Sequence, residues 1–491
     1  MTVFKKIINY FQSPSLRNDT LFYGFSLTLE RLFSFLIIPV ITKNLPPEFY
    51  GIWTQILITV AVISPIILLG FCSAIVRFTA GETDKQKIIS IFHWMMLIIL
   101  AVSLAVITIM FLFNLPISKL IFGEERFYHF IYLLALSLLV DSLFEYLISF
   151  LRAQKKIFIL SIYYLLKNAL RPLMLFTLIY FFHFDFFNTL IFIITFQALL
   201  VIYIYYREIV TKFGLNIDFK VIPKKRIFYF SLPLIPYTLS IWVNNFLNRY
   251  FVLHLLGIKQ LSIYALNWSL ASVMVLFYSS LSFTFYPYIT KLWDADINRV
   301  KNTFTKITGY YFFFVLPIIS ILTIFGKQII NFISTSDYFL NWQIIFLLSL
   351  ANAIFGLYQL NVFPLLLKEK SFLIFFLSFM VSIINIFLNI VMIPYFGLLG
   401  VSIAILISNV ILLYFTTIFS IKFIPYKFPW KVFIMDIFSV LIMSLVFLIF
   451  KSIFDINQIW KLISTLMIGI FIYCLIDLLN RDSFLYYLIK T

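Results

Sequence analysis

Ile88-Ile-Ser-Ile-Phe-His-Trp-Met-Met-Leu-Ile-Ile-Leu-Ala-Val-Ser-Leu-Ala-Val-Ile-Thr-Ile-Met-Phe-Leu-Phe113 contains no Asp, Glu, Lys or Arg. As a helix rising 1.5 Å per residue, about 20 such residues cross the hydrocarbon of a bilayer. Runs of this kind recur along the chain, separated by short polar punctuation. They predict helices near 20–42, 50–76, 88–113, 128–151, 157–181, 186–206, 227–255, 261–290, 303–325, 341–366, 372–393, 398–421, 432–450 and 459–479. The composition agrees: 63% of the 491 residues are hydrophobic and 12% are charged, about half the charged share of a soluble protein. No stretch is left over for a soluble domain. Residues 3–11 read as an interfacial amphipathic helix, and the run from Leu21, lacking a small-residue cleavage site, reads as a true span.

The net charge of +17 would point to nucleic acid in a soluble chain; here it sets topology. With the N-terminus placed in the cytoplasm, the 37 Lys and Arg divide unevenly. Seven fall on the outer side (Lys43, Lys119, Arg126, Lys259, Lys327, Lys451, Lys461) and five within or at the edge of spans (Arg31, Arg77, Lys167, Arg171, Arg249), leaving 25 on the cytoplasmic side. Lys and Arg in short loops stay cytoplasmic, so both termini are expected there, with anionic lipid headgroups as neighbours.

The pattern also repeats. Leu45-Pro-Pro-Glu-Phe-Tyr-Gly-Ile-Trp53 and Leu256-Gly-Ile-Lys-Gln-Leu-Ser-Ile-Tyr264 hold the same place, 211 residues apart, and Lys155-Lys156 matches Glu369-Lys370 at an offset of 214. The expectation is an all-α integral membrane protein of about fourteen spans. Two six-helix lobes (1–206 and 227–421) would flank a central cavity, joined by a cytoplasmic linker (207–226), with two additional helices in 422–491.

An ionisable group inside a span costs about 2.5–3.5 kcal/mol on insertion scales, so each needs a partner, a wet cavity or a function. Asp141 and Glu145 share one face of the fourth helix, and Lys167 and Arg171 one face of the fifth. Helix rise puts both sets roughly 15 Å from the cytoplasmic surface, within reach across an antiparallel hairpin. This arrangement is either a buried ion-pair cluster or a charged cavity wall, and the two are compatible. Glu30 beside Arg31 has the same ambiguity. Arg249, which follows Asn248, reads as cavity lining, and Arg77 as a side chain snorkelling at the cytoplasmic mouth or a phosphate contact there. Prolines inside spans, such as Pro65, Pro172 and Pro317, suit a transport protein whose kinked helices free carbonyls.

Soluble chemistry is missing. The sequence holds no phosphate-binding G-x-x-x-x-G-K-[ST] loop, G-x-S-x-G elbow or H-E-x-x-H pair. Asp294-Ala-Asp296 imitates a nucleotide-sugar motif without an α/β domain around it. Cys72 and Cys474 lie in separate apolar runs, and the four His lack metal-ligand spacing, so neither a disulfide nor a metal or other cofactor is expected.

Asn18…Pro39…Leu45-Pro-Pro-Glu-Phe-Tyr-Gly51 followed by Gly70-Phe-Cys-Ser-Ala-Ile-Val-Arg77-Phe78 resembles the opening of Wzx-type polysaccharide (O-antigen) flippases. These belong to the multidrug/oligosaccharidyl-lipid/polysaccharide exporter superfamily. Phe230-Ser-Leu-Pro-Leu-Ile-Pro236 with Asn248-Arg-Tyr-Phe251, and Ile384-Asn-Ile-Phe-Leu-Asn389 with Gly397-Leu-Leu-Gly400, resemble that family's helices 7, 11 and 12. The resemblance implies an inner-membrane flippase rather than an enzyme. Its substrate would be an undecaprenyl-diphosphate-linked glycan, moved to the outer face for surface polysaccharide, with a polysaccharide polymerase and a chain-length regulator as partners. Arg31, Arg77, Lys167, Arg171, Asn248 and Arg249 would then meet substrate, with Glu30, Asp141 and Glu145 as charge partners or coupling acids. The family often carries Asp where this chain has Asn248, so a coupling role for an acid there is lost. Rival readings are a lipid II flippase, a drug/cation antiporter of the same superfamily, disfavoured by the net basic interior, and a membrane glycan polymerase or ligase.

Overall fold

The computed structural model describes residues 29, 33, 35–80, 82–214, 218–220, 222–279, 281–282, 289, 296–368, 370–453 and 459–478. Among them the secondary structure is helical, with no strand. Hydrocarbon dictates this, because a helix satisfies its own backbone N–H and C=O groups where water cannot. Eleven of the described helices are long and apolar enough to cross a membrane. The protein is a multi-pass membrane protein.

In the first unit, Met1–Phe246, the helices of the described residues begin with the apolar helix α1 (Phe35–Asn44). They continue through α2 (Pro47–Leu68), α3 (Phe71–Thr79), α4 (Lys85–Leu112), α5 (Asn114–Phe122), α6 (Tyr128–Ala153), α7 (Ile157–Phe176), α8 (Phe186–Tyr205) and α9 (Lys224–Ser231). Helix α10 (Leu234–Leu256) leads into the second unit, Leu247–Thr491. There follow α11 (Ile258–Ala271), α12 (Ile297–Ile333), α13 (Trp342–Asn361), α14 (Ser371–Phe396), α15 (Leu398–Phe423), α16 (Trp430–Ile453) and α17 (Ile459–Leu478).

Two expected spans are divided. The run 50–76 breaks at Leu69-Gly70, both in the left-handed region (φ 49° and 73°), which ends α2 and restarts the chain as α3. The run 227–255 breaks at Leu232-Pro233, because proline has no N–H to carry a helix across. Two other expected spans, 20–42 and 261–290, extend beyond the described residues.

Short side chains start three of the described helices. Asp84 accepts from the Gln86 N–H (2.9 Å) at α4, and Asn341 from the Gln343 N–H (3.0 Å) at α13. Asp296 accepts from the N–H groups of Asn298 (3.0 Å) and Arg299 (3.2 Å), so half of the Asp294-Ala-Asp296 motif is the N-cap of α12. Large apolar side chains such as Leu112, Phe387 and Trp460 remain exposed, as lipid-facing positions should. Inside each unit, buried tyrosines tie helix to helix: Tyr146 donates to the Phe92 carbonyl (2.9 Å), and Tyr311 to that of Ala353 (2.6 Å).

The internal repeat is visible in the helix starts. Pro47 and Ile258 are 211 residues apart, Lys85 and Ile297 212, Tyr128 and Trp342 214, Ile157 and Ser371 214, and Phe186 and Leu398 212.

Candidate functional site

Within the first unit the ionisable residues of α6 and α7 meet. The Lys167 ammonium lies 2.6 Å from Asp141 Oδ1 and 4.2 Å from the centre of the Phe144 ring. Arg171, one turn further along α7, is 4.0 Å from the same carboxylate oxygen and faces the Trp53 ring of α2 at 5.7 Å. With its amide oxygen turned toward Arg171, Gln197 of α8 accepts from Nε (3.1 Å) and Nη2 (2.8 Å). Glu145 does not join this group; its carboxylate accepts from the Tyr164 hydroxyl at 2.7 Å. Four helices therefore contribute to one polar group, with Lys167 buried and Asp141 and Arg171 half-buried, in apolar surroundings where unpaired charge would be costly.

Trp53, Ser137, Asp141, Arg171 and Gln197, with aliphatic neighbours including Ile56 and Leu190, line a small cavity of about 30 Å³. That is space on the scale of one water. Here one acid meets two cations, and the planar Arg171 fork carries donors of the kind that bind an oxyanion such as phosphate, in a cavity that would have to widen to admit one. Nothing in the local sequence marks Trp53 or Ser137 as part of this group. Gln197 carries a usable signal: it is the one amide in the apolar run from Leu190 to Ile204.

Arg77 lies exposed in the last turn of α3, its guanidinium 4.8 Å from the centre of the Phe230 ring. Glu30 and Arg31 lie outside the described residues.

In the second unit Asn248 and Arg249 are both buried on α10. Asn389 of α14 donates to Asn248 Oδ1 (2.7 Å) and to Asn385 Oδ1 (3.0 Å), while Asn385 donates to Ser408 of α15 (3.1 Å). A chain of amides thus joins three helices where apolar contacts alone would leave their rotation free. Arg249 lies within electrostatic range of the buried Tyr264 hydroxyl of α11.

Buried ion pairs and amide ladders inside a helical, multi-pass protein define a class: a polytopic membrane protein with polar interiors of the kind transport requires. The family model described as "Polysaccharide biosynthesis protein" matches residues 16–293, more than half the chain, and the chain belongs to that family. A sequence search of curated proteins finds no match. Solved structures share the fold. The lipid II flippase MurJ in its inward closed conformation matches with a TM-score of 0.71 at 17% identity, over 94% of this chain and 99% of that one. A multidrug resistance MATE family transporter of the MOP superfamily, facing inward, matches at 0.69 and 13% identity, over 81% and 94%. A MOP superfamily transporter from Pyrococcus furiosus, described as having a binding pocket of reversed polarity, matches at 0.55 and 14% identity, over 82% and 94%. The fold is the one these flippase and transporter structures share.

Proposed function

We propose that this protein flips undecaprenyl-diphosphate-linked oligosaccharide from the cytoplasmic to the outer face of the inner membrane, for surface polysaccharide, by alternating access. Residues 1–206 and 227–421 act as the two lobes in this reading. The observation that carries it is the Lys167–Asp141–Arg171 group with Trp53 and Gln197. It supplies two cations against one acid, a balance suited to a diphosphate passing through apolar surroundings. Arg31 and Arg249 supply further cations, Asn248 a polar contact and Arg77 a first contact at the mouth, with Glu30 and Glu145 tuning the charge. The polysaccharide biosynthesis family supports a glycan as cargo. A polymerase and a chain-length regulator are the partners such export calls for.

The likeness to a lipid II flippase over nearly the whole chain favours a second reading, in which the cargo is the cell-wall precursor. One depletion experiment separates the two. Loss of the protein should trap lipid-linked surface-glycan units on the cytoplasmic face and leave the cell-wall precursor normal; the reverse pattern selects the second reading. Restored expression of the Arg31, Lys167, Arg171, Arg249→Gln quadruple variant should give membrane-inserted protein without glycan export. Wild-type export from that variant would remove the cation site. Arg249→Lys should rescue only in part, since the ammonium lacks the bidentate fork.

A further inference from the structure

Helices α16 and α17 lie outside the five pairs of repeated helix starts, and each carries one buried acid. Asp436 on α16 is 1% exposed and Asp477 on α17 is 2% exposed. Their carboxyl groups lie within interaction range of each other. Two carboxylates offer only acceptors, so they come together in buried surroundings only with a proton on one of them.

For Asp436 the described surroundings supply no other donor. Both oxygens of Asp436 are buried and meet no N–H or O–H donor among the described residues. The nearby hydroxyls are committed elsewhere: Ser439 donates to the Met435 carbonyl (2.8 Å) and Tyr473 to the Phe313 carbonyl (2.9 Å). On α17 the titratable groups near the pair are Tyr473 and Cys474. From α12, packed against both helices, Phe312 meets Phe433 and Phe313 meets Tyr473, while the nearest lysine of its first turns, Lys306, is exposed. Lys431, at the start of α16, is exposed as well. Arg481, one turn beyond Asp477 in sequence, lies outside the described residues. Two turns along α16 from Asp436 and one turn before Asp477, Met443 and Tyr473 belong to a buried apolar cluster with Phe313, Phe325, Phe447 and Leu462. Such surroundings penalise a second negative charge beside the first.

We propose that Asp436 and Asp477 form a proton-binding site within the membrane, one proton held between two carboxyls that join α16 to α17. Removing it would place two like charges at the contact between these helices.

The test treats the full-length protein in lipid vesicles at neutral pH with dicyclohexylcarbodiimide, which adds to protonated but not to ionised carboxyls, and maps adducts by mass spectrometry. Asp141, ion-paired with Lys167, is the internal control. Adduct at Asp436 or Asp477 should exceed that at Asp141 by at least about tenfold, the effect of a single unit of difference in proton affinity. In Asp436→Asn the adduct at Asp477 should vanish, because the new amide donates to a carboxylate without a proton. An infrared carbonyl band from protonated acid, present in wild type and lost in Asp436→Asn, covers the case in which the reagent does not reach the pair. Adduct at the pair, or loss of that band, supports the site. No adduct at either aspartate together with an unchanged band overturns it, as does equal labelling of Asp141.

Discussion

An ionised side chain in hydrocarbon persists only with its opposite beside it, and the 2.6 Å contact of Lys167 with Asp141 meets that demand. Asp141→Asn leaves Lys167 buried without its nearest counter-charge, and breaking a buried pair from one side costs about 3–5 kcal/mol. The expected outcome is a large fall in the thermal midpoint in detergent, mostly recovered in Asp141→Asn/Lys167→Met. Wild-type stability in the single variant would show that the pair does not hold α6 to α7. Tyr164→Phe removes the donor to Glu145 and should cost about 1.5 kcal/mol in the same assay, the scale of a hydrogen bond to a charged group. At this scale the sequence placed both acids and both cations on facing stripes of one hairpin. It could not choose between Asp141 and Glu145, which a turn of helix separates and only the rotation of α6 distinguishes.

The elements are apolar helices whose breaks carry the information. Gly70 is left-handed (φ 73°), and a Cβ there would run into the Ser231 backbone that closes α9. Gly257 is also left-handed (φ 87°) but faces open space. At φ 87° and ψ 170° it sits where only glycine goes readily, so Gly257→Ala should cost the backbone penalty alone, about 1–3 kcal/mol. Gly70→Ala should add a displacement of α9 to its own left-handed penalty of about 1–2 kcal/mol. A fall in the thermal midpoint for Gly70→Ala no larger than that penalty explains would mean that α3 and α9 do not pack closely at Gly70. Periodicity located the helices on either side of this break yet read them as one span, because Leu69-Gly70 sits inside an unbroken apolar run.

For the whole molecule, topology follows from charge. With 25 Lys and Arg expected on the cytoplasmic side and seven on the outer, reporter fusions after Phe150 and after Phe182 should lie on opposite sides, cytoplasmic and outer respectively. The same side for both would mean that the intervening run does not cross. The near-constant spacing of helix starts, 211 to 214 residues, is a second property of the whole chain, faint in the letters and clear in the helices.

That this protein is helical, crosses the membrane many times and carries charges at particular depths is legible from the amino acids alone. Those properties depend on the cost of moving each residue, one after another, from water to hydrocarbon, and that cost is local. Which charges meet was decided by tertiary structure. Asp141 takes Lys167 while Glu145 takes Tyr164, Gln197 of α8 reaches Arg171, and Asn248 finds Asn389 about 140 residues away. Asp436 and Asp477 look unrelated in sequence, each a lone acid in a terminal span. Helix rotation and packing turn them into a pair, and these depend on contacts among side chains far apart in the chain.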